Sequence, residues 1–426
     1  MPRVMNNNNN NNNNANNNAN NGRASTKRRP TPKFVEEGSY GCVMAPALRC
    51  DGQGLNTKSV SKIYEADSQG TGVEEAKKEF GANELLTAID PERVFTLATH
   101  AACRVNSARI DPAELKKCSM FKAIMSRKQL PQLVMENGGI GLNEILKEND
   151  FNVLKSQDAN AMMASLWRLF YGIKMMSDKH LIHQDIKSEN ILVAPEKIAL
   201  IDFGILSKHW DRHYENVTRA FLRHSYDVFP PEYNILEAAY LTSGTRGFRD
   251  QRKVSTASAL VCIKMVDRIA SRIRDGATRA YITTFLKSWM NTFGTYYKRV
   301  NDLVFSKITF KSALSKSCTL RKSTCDVHPA VAAYARHLDA HAGKIDVYSL
   351  GVVMLKVVTA LAAAETITLP WLKVYLGSLV AGMIHPNPEQ RYTANDAFEA
   401  YKRLASPKNA PSPRAAARRT PNANGY

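Results

Sequence analysis

No Cys-x-x-Cys pair occurs among the seven cysteines (Cys42, Cys50, Cys103, Cys118, Cys262, Cys318, Cys325). Their odd number and irregular spacing argue for reduced thiols in a reducing compartment, and Cys318 with Cys325 does not make a zinc site. No apolar run follows a basic start, so no secretory signal is expected. The best apolar stretch, Val347 to Ala364, carries Lys356 in its middle and is expected to be a buried core helix rather than a membrane span. Acids are scarce: 39 Asp and Glu stand against 58 Lys and Arg, a net charge of +19. Such an excess suits an acidic partner such as nucleic acid, or solubility. With 44% apolar and 8% aromatic residues in 426, wholesale disorder and a collagen-like fibre are excluded, and one large or two ordinary domains can be built.

Positions 6 to 21 are Asn broken only by Ala15 and Ala19. Such a tract has no large apolar side chains to offset its ordering entropy, so residues 1–33 are expected to be a flexible basic tail. Residues 406–426, rich in Pro, Ala and Arg and free of acids, are expected to be a second. Asn234 to Gly343 holds 18 basic and 7 acidic residues. With the tails and this segment set aside, the remainder is close to neutral. Any nucleic-acid contact would therefore run through the appendages, although a solvated face is the commoner role for Arg246, Arg249, Arg252 and Lys253. Short β-branched runs flank one helical stretch between Phe34 and about Val134. From about Asn160 the pattern is mainly helical, with short strands near Ile191 to Val193 and Ala199 to Ile201.

The most specific stretch is Leu181-Ile-His-Gln-Asp-Ile-Lys-Ser-Glu-Asn-Ile-Leu-Val193, followed by Ala199-Leu-Ile-Asp-Phe-Gly204. It places His183, Asp185, Lys187 and Asn190 in one short loop, with Asp202 twelve residues after Asn190. Phosphoryl transfer needs such a set: a carboxylate to orient the attacking hydroxyl (Asp185), a cation at the moving group (Lys187), and oxygens for a hard metal ion (Asn190, Asp202). The apolar runs on both sides are expected to form a strand pair that fixes the loop.

These motifs resemble the catalytic loop and D-F-G of eukaryotic-type protein kinases, which implies ATP and Mg2+ as cofactors. Upstream, Glu36-Glu-Gly-Ser-Tyr-Gly-Cys-Val43 resembles the glycine-rich loop, with Gly38, Ser39, Tyr40, Gly41 and Val43 over the phosphates and Glu36 replacing the first glycine. Val60-Ser-Lys-Ile63 resembles the third-strand lysine motif; Lys62 would pair the α- and β-phosphates, with Ser61 where an Ala usually meets adenine. Helical periodicity offers Glu79 as the partner of Lys62, with Glu75 second. Gln132 to Gly139 resembles the strand into the hinge, so that Met135 is the gatekeeper, the backbone of Glu136 and Gly138 meets adenine, and Leu192 forms the pocket floor. Phe229-Pro-Pro-Glu232 resembles A-P-E with Pro230 for Ala. Asp346 would cap the catalytic loop, and Arg391 would pair with Glu232.

The resemblance implies an α+β, bilobal fold: a small β-rich lobe (34–136) and a larger, mainly helical lobe (137–405). An insertion of roughly 100 residues, about 234–343, lengthens what is normally a short connection. Ile269 to Trp289 is periodic enough to be helix. The D-I-K-S-E-N form resembles serine/threonine kinases. Gln184 stands where an Arg that binds an activating phosphate is usual, so activity without that phosphate is expected. Two rival readings are a pseudokinase scaffold, which usually lacks Lys62, Asp185, Asn190 or Asp202 (none is lost here), and a nucleic-acid-binding protein using the basic segments. The divergent core and the insertion resemble kinases of large DNA viruses, which would imply a virion or host-cytoplasmic enzyme acting on viral or host proteins.

Overall fold

The structure, a computed structural model, describes residues 31–38, 41–50, 58–65, 71–120, 129–147, 158–195, 197–208, 228–232, 263–264, 266–300, 302 and 329–405. Residues 1–30 and 406–426, Ser39 and Tyr40, the Arg246-to-Lys253 cluster and Cys262, Cys318 and Cys325 lie outside the described residues; the expected tail boundary at residue 33 is corrected, because Lys33 already belongs to a strand.

Five strands make the small-lobe sheet: β1 (Lys33–Gly38), β2 (Gly41–Ala45), β3 (Ser59–Tyr64), β4 (Thr99–Asn106) and β5 (Gln129–Glu136), in the order β1-β2-β3-β5-β4. All neighbouring pairs are antiparallel. Successive side chains of a strand point to opposite faces, so the register sorts them into rows. Val43, Lys62, Leu133 and Ala102 form one row across four strands; Cys42, Ile63, Gln132 and Cys103 form the next, on the other face. Helix α1 (Thr71–Ile89) covers the Lys62 face, burying Ala76, Glu79, Asn83 and Leu86 at the three- and four-residue spacing of one helical stripe. Asp90, just past its end, accepts hydrogen bonds from the backbone N–H groups of Val94, Phe95 and Thr96 and so fixes the chain's exit toward β4.

The opposite face is covered by two connectors. Leu48 and Cys50 come from the β2–β3 connection; Ile110, Leu115 and Cys118 come from the β4–β5 connection, which contains the short helix α2 (Pro112–Leu115). Two disulfides fasten these covers, Cys42–Cys118 and Cys50–Cys103, with Cα atoms 6.2 and 5.9 Å apart. The expectation of reduced, unpaired thiols is corrected here for four cysteines. Partners 76 and 53 residues apart carry no local signature, and only the sheet order brings them together. A second correction concerns Ser61. It is fully buried, and its Oγ accepts a hydrogen bond from Leu48 N at 2.8 Å, on the face away from Lys62. By strand alternation Val60, not Ser61, shares the side of Lys62, directly across from Met135.

The large lobe is built on α8 (Ile345–Ala363), whose residues from Ile345 to Ala362 are all buried, Lys356 included. The helix Ala342–Ala363 is long and apolar enough to cross a membrane, but its most apolar 18-residue window is buried inside the protein, as a core helix should be. Around it pack α5 (Trp167–Asp178), which follows α3 (Leu142–Lys147) and α4 (Asp158–Ser165); α6 (Gly276–Val300); α7 (Pro329–Asp339); α9 (Leu369–Tyr375); and α10 (Ala394–Ala405). Phe170 of α5 stacks on Tyr401 of α10 with ring centroids 4.3 Å apart. Each large apolar side chain so buried contributes roughly 1.5–3 kcal/mol.

Described residues of the basic segment 234–343 pack against this core. Ile282, Leu286, Trp289 and Phe293 of α6 recur every three or four residues and are buried, and Trp289 Nε1 donates to Ile384 O at 2.8 Å. The expected helix over Ile269 to Trp289 is broken at Ser271–Asp275. Asp275 restarts it by accepting from Thr278 N at 2.8 Å, as an N-cap does.

Candidate active site

Strand β6 (Ile140–Gly141) pairs with β8 (Ile191–Ala194), and the catalytic-loop motif lies between β7 (Leu181–Ile182) and the hairpin that β8 forms with β9 (Lys197–Leu200). The apolar runs on the two sides of the loop, β7 and β8, do not pair with each other as expected; β8 pairs with β9 instead. Asp346, at the start of α8, anchors the loop from below: Oδ2 accepts from His183 N at 2.7 Å and Oδ1 from Gln184 N at 2.9 Å. Burial raises the Asp346 pKa above the ordinary carboxylate value, and the His183 charge and two N–H bonds only partly offset it. Gln184 takes a left-handed backbone conformation (φ 68°), which turns the chain so that consecutive N–H groups can reach one carboxylate. His183 Nε2 lies 3.1 Å from Ile201 O, tying the loop to the strand that delivers Asp202.

Above this frame, Lys187 Nζ contacts both carboxylate oxygens of Asp185, at 2.8 and 3.0 Å. Asn190 Nδ2 donates to the Asp185 carbonyl and to its Oδ2, both at 2.9 Å. Asp185 is thereby held by a cation and an amide, and the Asn190 oxygen is left to face other ligands. Asp202 also sits at positive φ (63°), and its side chain is 42% exposed, open to a ligand.

Lys62 bridges the lobes. Its Nζ is 2.6 Å from Glu79 Oε2 and 3.5 Å from Asp202 Oδ1. Glu79 is therefore the helix partner. Glu75 instead pairs with Lys78 at 2.6 Å. Burial alone would push the Lys62 ammonium down; the carboxylates of Glu79 and Asp202 outweigh it and raise its pKa above the ordinary lysine value. Burial alone would raise Asp202, but Lys62, His183 and Lys187 hold its carboxyl below the usual range. Tyr64, which sequence reasoning missed, donates to the same Glu79 oxygen at 2.5 Å. The available signal was its position two residues after Lys62, on the same face of β3. Burial, then the Glu79 charge, push the Tyr64 phenol far above its normal range, so it remains a donor.

At the hinge, a Cβ on Gly138 would lie 2.7 Å from side-chain carbons of both Leu192 and Leu97, so the glycine permits the close approach that brings Leu192 under the hinge. The Glu136 N–H is donated to Ala98 O at 2.8 Å, so an adenine contact at Glu136 would have to use its carbonyl. The Glu136 side chain pairs with Lys197 at 3.1 Å. Gly41 meets the Ile63 carbonyl, which a Cβ would approach to 2.0 Å, and it pairs with Gly38 to close the β1–β2 turn. Lower down, Arg391 and Glu232 form a pair at 2.7 Å with side chains 1% and 0% exposed. A separate cavity of about 210 Å³, lined by Tyr296, Arg299, Val300, Tyr334, His337, Asn387 and Glu389, contains none of the expected catalytic groups.

Residues 114–233 match the family Pkinase, protein kinase domain. That stretch takes in the hinge, the loop from His183 to Asn190, Asp202 and Glu232; Gly38, Lys62, Glu79 and Arg391 fall outside it. A β-sheet region joined to a helical region, with this match, fits a kinase-like α+β fold. In addition, 81 residues of the chain (19% of it) are 35% identical to the "Serine/threonine-protein kinase CLA4" of Candida albicans, and equally to the protein of that name from its strain SC5314 / ATCC MYA-2876. The matched stretch spans 8% of the length of either relative.

Proposed function

We propose that this protein is a serine/threonine kinase that transfers the γ-phosphoryl group of ATP, with magnesium, to hydroxyls of protein substrates. One observation carries the reading. Lys62 and Glu79 from the small lobe meet Asp202 of the large lobe, beside Asp185 held by Lys187 and Asn190. The donor set fits a hard cation, because Asp202 offers an exposed carboxylate and Asn190 an amide oxygen whose nitrogen is already engaged. Magnesium held there would neutralise phosphate charge. Asp185 orients the substrate hydroxyl and takes its proton. Lys187 lies beside the transferring group, and Lys62 steadies the α- and β-phosphates. Leu192, packed under the hinge glycine, supplies an apolar floor for the adenine. Serine/threonine preference is supported by the D-I-K-S-E-N loop and by the name of the Candida albicans relative.

Gln184 cannot make charge-assisted bonds to an activating phosphate. Its side-chain amide instead donates to Ser207 Oγ, in the short strand β10 (Ser207–Lys208) that pairs with β7. Ser207 and Lys208, just after Asp202, are thus held without a phosphate. The decisive experiment is transfer of labelled phosphate from ATP to generic acidic and basic proteins, with Asp202→Ala as control. Labelling by the wild type and a loss of at least about 100-fold in the variant are expected. Equal labelling by both would remove the catalytic reading.

A further inference from the structure

The row Cys42–Ile63–Gln132–Cys103 crosses the small-lobe sheet one residue away from the Lys62 row on every strand, on the opposite face. A disulfide sits at each end of it, and each one fastens a different connector over that face. Cys42 follows Gly41 directly, so the Cys42–Cys118 bond holds the strand that leaves the glycine turn. The neighbouring Glu37 side chain accepts from Ser119 N at 2.8 Å and so ties the other strand of the turn to the same connector.

The two bonds differ in access and in surroundings. Cys42 and Cys118 are 0% and 1% exposed, whereas Cys103 is only partly buried. The Gln132 carboxamide faces the Cys50–Cys103 pair, with Nε2 3.1 Å from Cys103 Sγ and 3.8 Å from Cys50 Sγ. Gln132 is 1% exposed, and its Oε1 has no hydrogen-bond partner among the described residues. The carboxamide thus turns an N–H donor toward both sulfurs. A thiolate accepts such a bond more strongly than a cystine sulfur does, so the buried Gln132 favours the reduced pair.

We propose that the small lobe is a thiol–disulfide switch, in which Cys50–Cys103 is the labile bond and Cys42–Cys118 the slow clamp on the glycine-turn strand. The co-reactant is a disulfide of the glutathione or protein-dithiol class. For the labile pair, the Cys103 thiolate attacks one sulfur of that disulfide and expels a thiolate, leaving a mixed disulfide. The Cys50 thiolate then attacks Cys103 Sγ, closes the protein bond and expels the second thiolate. Two protein thiols lose two electrons and two protons, and one external disulfide becomes two thiols.

The test uses the full chain equilibrated in reduced or oxidised glutathione, with free thiols then trapped by alkylation and the cross-links mapped. Hydrogen exchange of residues 41–45 is followed in both states. Oxidised protein should carry both bonds, graded reductant should open Cys50–Cys103 first, and exchange in β2 should be at least about tenfold slower when oxidised. Cys103→Ser should keep that slowing, and Cys42→Ser should abolish it. If Cys42→Ser does not fold, Cys118→Ser removes the same bond. Gln132→Leu should shift the labile pair toward the disulfide by about tenfold at fixed glutathione ratio. Free thiols at all four positions in oxidised glutathione, or equal β2 exchange in both states, overturn the proposal. Tighter ATP binding on oxidation is the consequence that rests on the phosphoryl-transfer reading. A chain that cross-links and slows β2 exchange but binds ATP in neither state overturns that reading and supports the switch.

Discussion

Two ion pairs in this molecule have the same charges and opposite uses. Arg391–Glu232 is sealed: its side chains are 1% and 0% exposed, Arg391 NH2 donates to Glu232 Oε2 at 3.0 Å, and the guanidinium lies 4.8 Å from the Tyr348 ring centroid. It balances one charge with one charge and has no access to a ligand. Lys62–Glu79 is equally short, but it has a second carboxylate, Asp202, on its open side. One cation there faces two acids, an imbalance that a phosphate and a metal ion can resolve. Burial with exact charge balance marks structure; a shared cation at a cleft marks a site.

The contrast can be broken experimentally. Arg391→Ala should cost about 3–5 kcal/mol of stability, read by denaturant unfolding, because it leaves the Glu232 carboxylate buried and alone. A loss under about 1 kcal/mol would mean the pair is not the anchor of the Pro-Pro-Glu segment. Lys62→Met should weigh mainly on activity: roughly a 100-fold fall in phosphoryl transfer, with a smaller loss of stability than Arg391→Ala causes. Unfolding of that variant would make Lys62 a structural residue. Glu79→Gln should lower activity about tenfold by weakening a charge-assisted bond, whereas Glu75→Gln should stay near wild type, and reversal of the two would move the pair to Glu75. The smallest effect is expected from phosphatase treatment, which should leave activity unchanged because Gln184 already holds Ser207; abolished activity would show that a phosphate is needed after all.

Asp202 gives the comparison a pH dimension. Its folded pKa is depressed below 3.8, so its ionisation stabilises the protein above that unfolded value, and the contribution is lost as pH falls through the lower folded value. Asp202→Asn should therefore flatten the acid limb of the stability curve, measured as melting temperature against pH. An unchanged limb would mean that the Lys62 contact contributes nothing to stability.

Much of the site was legible in the residues themselves. Asp185, Lys187 and Asn190 lie within six residues, so their meeting needs only one loop conformation. Strands β8 and β9 were legible for the same reason, as two apolar runs close in sequence, but their pairing with each other was not. The Glu79 choice followed from helical spacing, but Glu75 lies one turn away on the same stripe, and only the tertiary position of Lys62 separates them. Errors arose where the register mattered. Ser61 was set on the nucleotide side although alternation places it with Ile63 on the other face. The expected insertion helix ran through Ser271–Asp275, where Asp275 caps a new start.

What the sequence alone determined is local: which groups are available, their spacing along strand, helix and loop, and a set of acids, amides and amines suited to phosphate chemistry. The tertiary structure decided which distant groups meet. Asp346 reaches a loop more than 160 residues away, Arg391 finds Glu232, and cysteines scattered along the small lobe fall at the two ends of one row. Contacts of that kind depend on strand order and packing, which no short-range pattern encodes, because the entropy of closing a long loop is compensated only once the whole core has assembled.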